Sequence, residues 1–117
     1  MADRTILTKT TAPGSYAAAG VAVTMTAADT ANKNRFLSTG KELLIAQNTD
    51  AVNPYTVTIY STADPYGRSK DITAESLVAG AIHVFGPFPQ TGWQQTTGYI
   101  HVDGSNAAIK FGVVVLP

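Results

Sequence analysis

Apolar residues in this chain recur at every second position, in short runs cut off by turn residues, and nowhere at the spacing of a long helix. That pattern leaves few folds open. Tyr55, Val57 and Ile59 alternate with Thr56, Thr58 and Tyr60, nearly all β-branched or aromatic, which is what a half-buried strand selects. Val21, Val23 and Met25 alternate with Ala22, Thr24 and Thr26 in the same way. Leu43-Leu44-Ile45 is a short continuous apolar run and reads as a strand covered on both faces. Ile82 and Val84 oppose His83 and Phe85, and Ile109, Phe111, Val113 and Val115 share one face of a closing strand. Residues 27–34 suit one short helical turn or a loop, with Asp29 as its cap. Asp64-Pro65-Tyr66-Gly67 suits a type I turn, and Asp103-Gly104 a hairpin turn. Six or seven short antiparallel strands without crossover helices predict an all-β fold, a single small β-sandwich or jelly-roll-like barrel over residues 21–117. Residues 1–20, rich in Thr, Ala and Gly with a Pro13-Gly14 turn, predict an extended N-terminal arm.

Between Ser76 and Val102 there is no Asp, Glu, Lys or Arg, yet the stretch holds Phe85, Phe88, Trp93 and Tyr99. Solvated loops carry charge, so an uncharged loop with a tryptophan is expected to be covered, by its own domain or by a partner. The whole chain is sparing with charge: 14% of its residues are ionised side chains, against a typical ~25%. Eight basic residues balance eight acidic ones, which gives no electrostatic footprint for nucleic acid or an anionic membrane. Low charge of both kinds suits a protein that lives assembled. No apolar run approaches the length of a membrane span, and the N-terminus lacks the apolar core of a signal peptide.

Catalytic chemistry has little foothold. There is no cysteine, so disulfides and thiolate metal ligands are excluded. The two histidines, His83 and His101, lie in predicted strands with no adjoining carboxylate, so no metal site or other cofactor is expected. Asp64 and Asp103 are read as turn residues, and no phosphate-binding or nucleophile-elbow motif occurs. The expectation is an interaction protein and not an enzyme. Tyr66 and Arg68 flank Gly67 on a tight turn and are residue types enriched at binding hot spots; the alternative is a local pairing of Arg68 with Asp64 or Asp71. Trp93, between Gly92 and Gln94-Gln95, suits either core packing or an interface.

Asp64-Pro-Tyr-Gly-Arg68, Phe85-Gly-Pro-Phe88, Gly92-Trp-Gln-Gln95 and the terminal run from Ile109 to Pro117 together resemble the head-decoration, or cement, proteins of tailed bacteriophages. The resemblance covers roughly residues 40–117. It implies a structural virion protein, made in the host cytoplasm, that binds the outer surface of an expanded capsid and bridges subunits of the major capsid protein. It also implies a homo-oligomer, for which a trimer is favoured. The partner-binding residues expected are Thr8, Thr10 and Tyr16 of the arm, then Tyr66, Arg68, Phe88 and Trp93. The alternative is a carbohydrate- or receptor-binding β-sandwich module of a phage tail or secreted enzyme, with Trp93 and Tyr66 stacking on sugar rings.

Overall fold

The structure, a computed structural model, describes residues 4–12, 20–63, 66–68 and 71–116. The alternating runs form strands, and the described residues contain no helix. In chain order the strands are β1 (Thr5–Ile6), β2 (Lys9–Thr11), β3 (Thr26–Ala27), β4 (Asn34–Leu37), β5 (Glu42–Asn48), β6 (Tyr55–Ile59), β7 (Ile72–Leu77), β8 (Ile82–Phe85), β9 (Tyr99–Gly104) and β10 (Ile109–Val115). The first sheet has the order β1-β4-β9-β6-β7 and the second β2-β10-β5-β8, with β3 also paired to β10. The all-β sandwich expected from the residues is therefore present. It has more strands than expected, and it is mixed: β1 pairs β4 and β2 pairs β10 in parallel.

Those parallel pairs correct the expected N-terminal arm. Residues 4–12 run inside the domain as edge strands of both sheets. Thr5 N–H donates to Lys33 O at 2.9 Å and Leu7 N–H to Arg35 O at 2.8 Å. Between β1 and β2 the chain crosses from one sheet to the other, and Leu7 drops into the core at the crossing.

Period-two burial builds that core. Glu42, Leu44, Ala46 and Asn48 of β5 point inward, opposite Val57 and Ile59 of β6 and Ile100 and Val102 of β9. Phe36, Ile109, Phe111 and Val113 complete it. Leu43 and Ile45, expected to be covered, lie half-buried on the outer face of the second sheet. Val21, Val23 and Met25 do not form the expected strand. Only Thr26–Ala27 pairs with β10. The preceding residues cross the outer face of the second sheet over Gly112, where a Cβ would come within 2.5 Å of Met25 Sδ and 2.7 Å of Val23 Cγ1. Glycine at this position leaves the room that the crossing occupies.

Two turn expectations also resolve. Asp29 caps its turn: Oδ1 accepts from Ala31 N–H at 3.1 Å and Asn32 N–H at 3.0 Å. Asp103-Gly104, by contrast, stays within β9, because Gly104 packs where a Cβ would lie 2.6 Å from that of Ala28. The reversal comes later, where Asn106 Oδ1 accepts from Ala108 N–H at 2.9 Å.

Among the described residues one acid is wholly buried. Glu42 receives Thr39 N–H at 2.8 Å, Thr39 Oγ1–H at 2.5 Å and Lys9 Nζ at 3.3 Å. Burial alone would raise its pKa, but these hydrogen bonds and the Lys9 charge outweigh it and hold the carboxyl below the usual range. The acid thus ties β2 to the loop that leads into β5.

Candidate partner-binding surfaces

The charge-free stretch splits between inside and outside. Its inward half is Phe85, Phe88 and Ile100, all in the core. Phe88 was expected at a partner contact. At 2% exposure its ring is packing, not contact surface. The backbone explains this. Gly86 takes φ +102°, a Cβ there would lie 2.9 Å from Glu42 O, and Phe88 N–H donates to that same oxygen at 3.2 Å. The chain is thereby turned inward. Phe88 then meets Phe36 at 6.1 Å and Trp93 edge-on at 5.1 Å between ring centroids.

Trp93 is half-buried and packs against the core, so much of its ring is structural. Its loop is held by Gln94 N–H donating to Gln90 O at 3.0 Å, and by Gln90 Nε2 donating to Ser38 O at 3.2 Å.

The outward half is different. Val78, Ile82 and Val84 are 65%, 59% and 61% exposed. They sit where the chain passes from β7 at the rim of the first sheet to β8 at the rim of the second. His83 turns to the opposite side from its neighbours, and its Nδ1 lies 3.4 Å from Glu75 Oε2 of β7. The residues already distinguish Ile82 and Val84 from His83 and Phe85; the exposure of the first pair becomes visible only in three dimensions.

Tyr66 is the most open aromatic described, at 82% exposure, with the Arg68 guanidinium 5.2 Å from its ring centroid. Gly67 between them takes φ +76°, the left-handed conformation expected of the turn's fourth residue. Asp64 and Pro65 lie outside the described residues. The base of this excursion is closed: Asp71 Oδ1 accepts from Ser61 N–H at 2.7 Å and Oγ–H at 2.9 Å. Thr62 N–H donates to Gly92 O at 2.7 Å, joining this base to the loop that carries Trp93. The structure thus brings the two expected contact loops together.

The N-terminal candidates part company. Thr8 is exposed. Thr10 is almost fully buried, its Oγ1 accepting from Thr24 N–H at 3.2 Å, so it secures the crossing segment and offers little to a partner. Tyr16 lies outside the described residues.

A further surface escaped the sequence reading. On the outer face of the first sheet, Arg4 pairs with Asp103 Oδ1 at 2.6 Å, and Tyr60 Oη–H donates to Asp103 Oδ2 at 2.6 Å. The Tyr60 phenol is held above its usual pKa by that bond. Arg35 lies 4.1 Å from the Tyr99 ring centroid. His101, opposite Arg35 in the register, has its pKa lowered by burial and then by the Arg4 and Arg35 charges. Asp103, read as a turn residue, is the centre of this network. Its partners Arg4 and Tyr60 lie 99 and 43 positions away in sequence; the period-two polar series Tyr99, His101, Asp103 was the available signal.

His83 and His101 lie in different sheets and do not meet. Among the described residues, no group of three metal-ligating side chains forms. The described surface carries three distinct regions: an apolar rim, an aromatic–cation tip and a polar sheet face. No family model matches the chain, and no curated protein or solved structure is significantly similar to it.

Proposed function

We propose that the protein is a structural component of a tailed-phage virion that binds the outer surface of the capsid and bridges capsid subunits. The observation that carries this reading is the exposed, uncharged rim of Val78, Ile82 and Val84, together with a separate tip that presents Tyr66 and Arg68. The resemblance in the Asp64–Arg68, Phe85–Phe88 and Gly92–Gln95 runs supplies the partner, the major capsid protein. Adhesion suits such a role because weak contacts, repeated over one shell, gain avidity. Binding only the assembled shell stabilises it by mass action. A sugar-binding platform is less well supported, because Trp93 packs against Phe88 and leaves Tyr66 as the open ring.

The test is co-sedimentation of the purified protein with expanded capsids built from the cognate major capsid protein. The expected result is saturable binding and a raised capsid melting temperature. Tyr66→Ala is expected to weaken binding about tenfold or more, as at a hot spot, while the free protein's own melting temperature is unchanged. Absence of co-sedimentation by the intact protein overturns the proposal.

A further inference from the structure

Among the described residues β8 is an open sheet edge, and its register says which main-chain groups face away from the sheet. Asn48 N–H donates to Ala81 O at 2.9 Å, and Ala46 and Leu44 stand opposite His83 and Phe85. Main-chain groups alternate in direction along an antiparallel ladder, so His83 and Phe85 spend theirs on β5. Ile82 and Val84 turn their N–H and C=O groups away from the sheet.

Natural sheets guard such edges with charge, proline, bulges or shortness. The other rims here are guarded. β7 carries Glu75, a register shift opposite Val57 and Ile59, and Ala74 at φ +49°. β1 and β2 are two and three residues long, with Lys9 on β2. β8, four residues long, carries no Lys, Arg, Asp, Glu, proline or bulge, and the side chains beside its outward-facing groups are apolar and exposed.

We propose that β8 pairs antiparallel with β8 of a second copy of this chain, about a two-fold axis at His83, so that the second sheet continues across both copies. The free groups dictate the register. Ile82 exchanges hydrogen bonds with Val84 of the partner subunit, and Val84 with Ile82 of the partner subunit. Ile82 and Val84 of opposite copies also become cross-strand neighbours on the outer face, an apolar match that an uncharged strand offers to itself. His83 faces His83 of the partner subunit in a non-hydrogen-bonded pair. Each copy also brings one Glu75 carboxylate, 3.4 Å from the Nδ1 of its own His83. A four-residue strand buries much less than the ~1,000 Å² of a stable interface. Pairing is therefore weak in dilute solution and gains strength where copies are held side by side; that last point rests on the capsid reading, while the pairing itself does not.

The chain has no cysteine, which makes a trapping experiment clean. His83→Cys is placed at the axis, where close Cβ atoms favour a disulfide. Val52→Cys, on an exposed connection, is the control. Under mild oxidation His83→Cys is expected to form covalent dimers about tenfold or more faster than the control, because pairing raises the effective concentration of the thiols. Adding Ile82→Lys, which charges the edge at an exposed position, is expected to return the rate to that of the control. Equal rates for His83→Cys and Val52→Cys overturn the proposal. Should His83→Cys fail to fold, sedimentation equilibrium at high concentration decides: wild type is expected to associate and Ile82→Lys to stay monomeric, and a monomeric wild type overturns the proposal. Control-rate cross-linking with intact capsid binding removes edge pairing alone, whereas fast cross-linking without capsid binding removes the capsid reading alone.

Discussion

Leu7→Ala tests whether the first dozen residues belong to the domain. Leu7 is 2% exposed, whereas its neighbour Ile6 is 53% exposed. The two are chemically alike and adjacent, so the comparison isolates burial. Truncating a buried leucine costs ~2–5 kcal/mol, from lost transfer energy and the cavity left behind. Leu7 sits at the rim, between strands of two and three residues that can partly collapse, which places it in the lower half of that range. An expected loss of about 2–3 kcal/mol corresponds to roughly 10 °C in melting temperature for a domain of this size. Ile6→Ala, with half its side chain already in water, is expected to cost under ~1 kcal/mol. Urea melts followed by far-ultraviolet circular dichroism and by Trp93 fluorescence measure both, and an unchanged denaturant slope shows that the unfolding reaction itself is the same. If Leu7→Ala unfolds within about 0.5 kcal/mol of wild type, below any large-to-small core substitution, or no lower than Ile6→Ala, the N-terminus does not hold the sheets together and the reasoning fails.

Gly86→Ala introduces a Cβ 2.9 Å from Glu42 O at φ +102°; a loss of roughly 2–3 kcal/mol is expected in the same urea melts, from left-handed strain together with overpacking. Glu42 has a folded-state pKa below its ordinary value of 4.5, so the stability it contributes is present above that pH and is lost as pH falls through the folded value. Glu42→Gln is expected to be less stable than wild type at pH 7, and the difference should shrink on acidification; a gap that is constant from pH 7 to pH 3 contradicts this. Gly112→Val is expected to lift the segment before β3 off the second sheet, since its side chain would occupy the space of Val23 and Met25. Amide exchange at Thr24, whose N–H donates to Thr10 Oγ1, should then quicken while β5 and β10 stay protected.

The fold class was readable because burial here follows period two. Tyr55–Ile59 and Ile109–Val115 alternate in sequence as they do in space. Errors arose where tertiary contacts override the local pattern. Val21, Val23 and Met25 alternate like a strand but lie across a sheet face, over a glycine some ninety positions away, and nothing local encodes that distance. Asp103-Gly104 has hairpin composition, but Gly104 is needed for its missing side chain against Ala28, not for a turn. The charge-free stretch is expected to be covered, and its residues divide: Phe85, Phe88 and Ile100 are covered by their own domain, whereas Val78, Ile82 and Val84 are exposed. Phe88 looked like a contact because aromatic content alone does not say which way a Gly-Pro corner turns. Ile82 and Val84 were the better surface candidates, and strand alternation gave their common face without giving its exposure.

The distribution of charge gives the molecule two unlike sides. Arg4, Arg35 and Asp103 line the outer face of the first sheet, and Lys9 and Glu42 fasten β2 to the loop before β5. At the opposite rim Glu75 and His83 meet, and the rest of β8 is apolar. Both rims are crossed by chain passing between sheets, and both crossings bury a leucine, Leu7 at one and Leu77 at the other. Packing therefore does not require the rims to differ outside. A chain with eight basic and eight acidic residues has ample charge to guard a four-residue edge. Leaving β8 bare, while β7 beside it is bulged and charged, suits a surface that is covered in the assembled state. Under the proposed β8 pairing, the apolar rim turns toward a second copy, which leaves the Arg–Tyr–His face of the first sheet toward water or toward a polar partner.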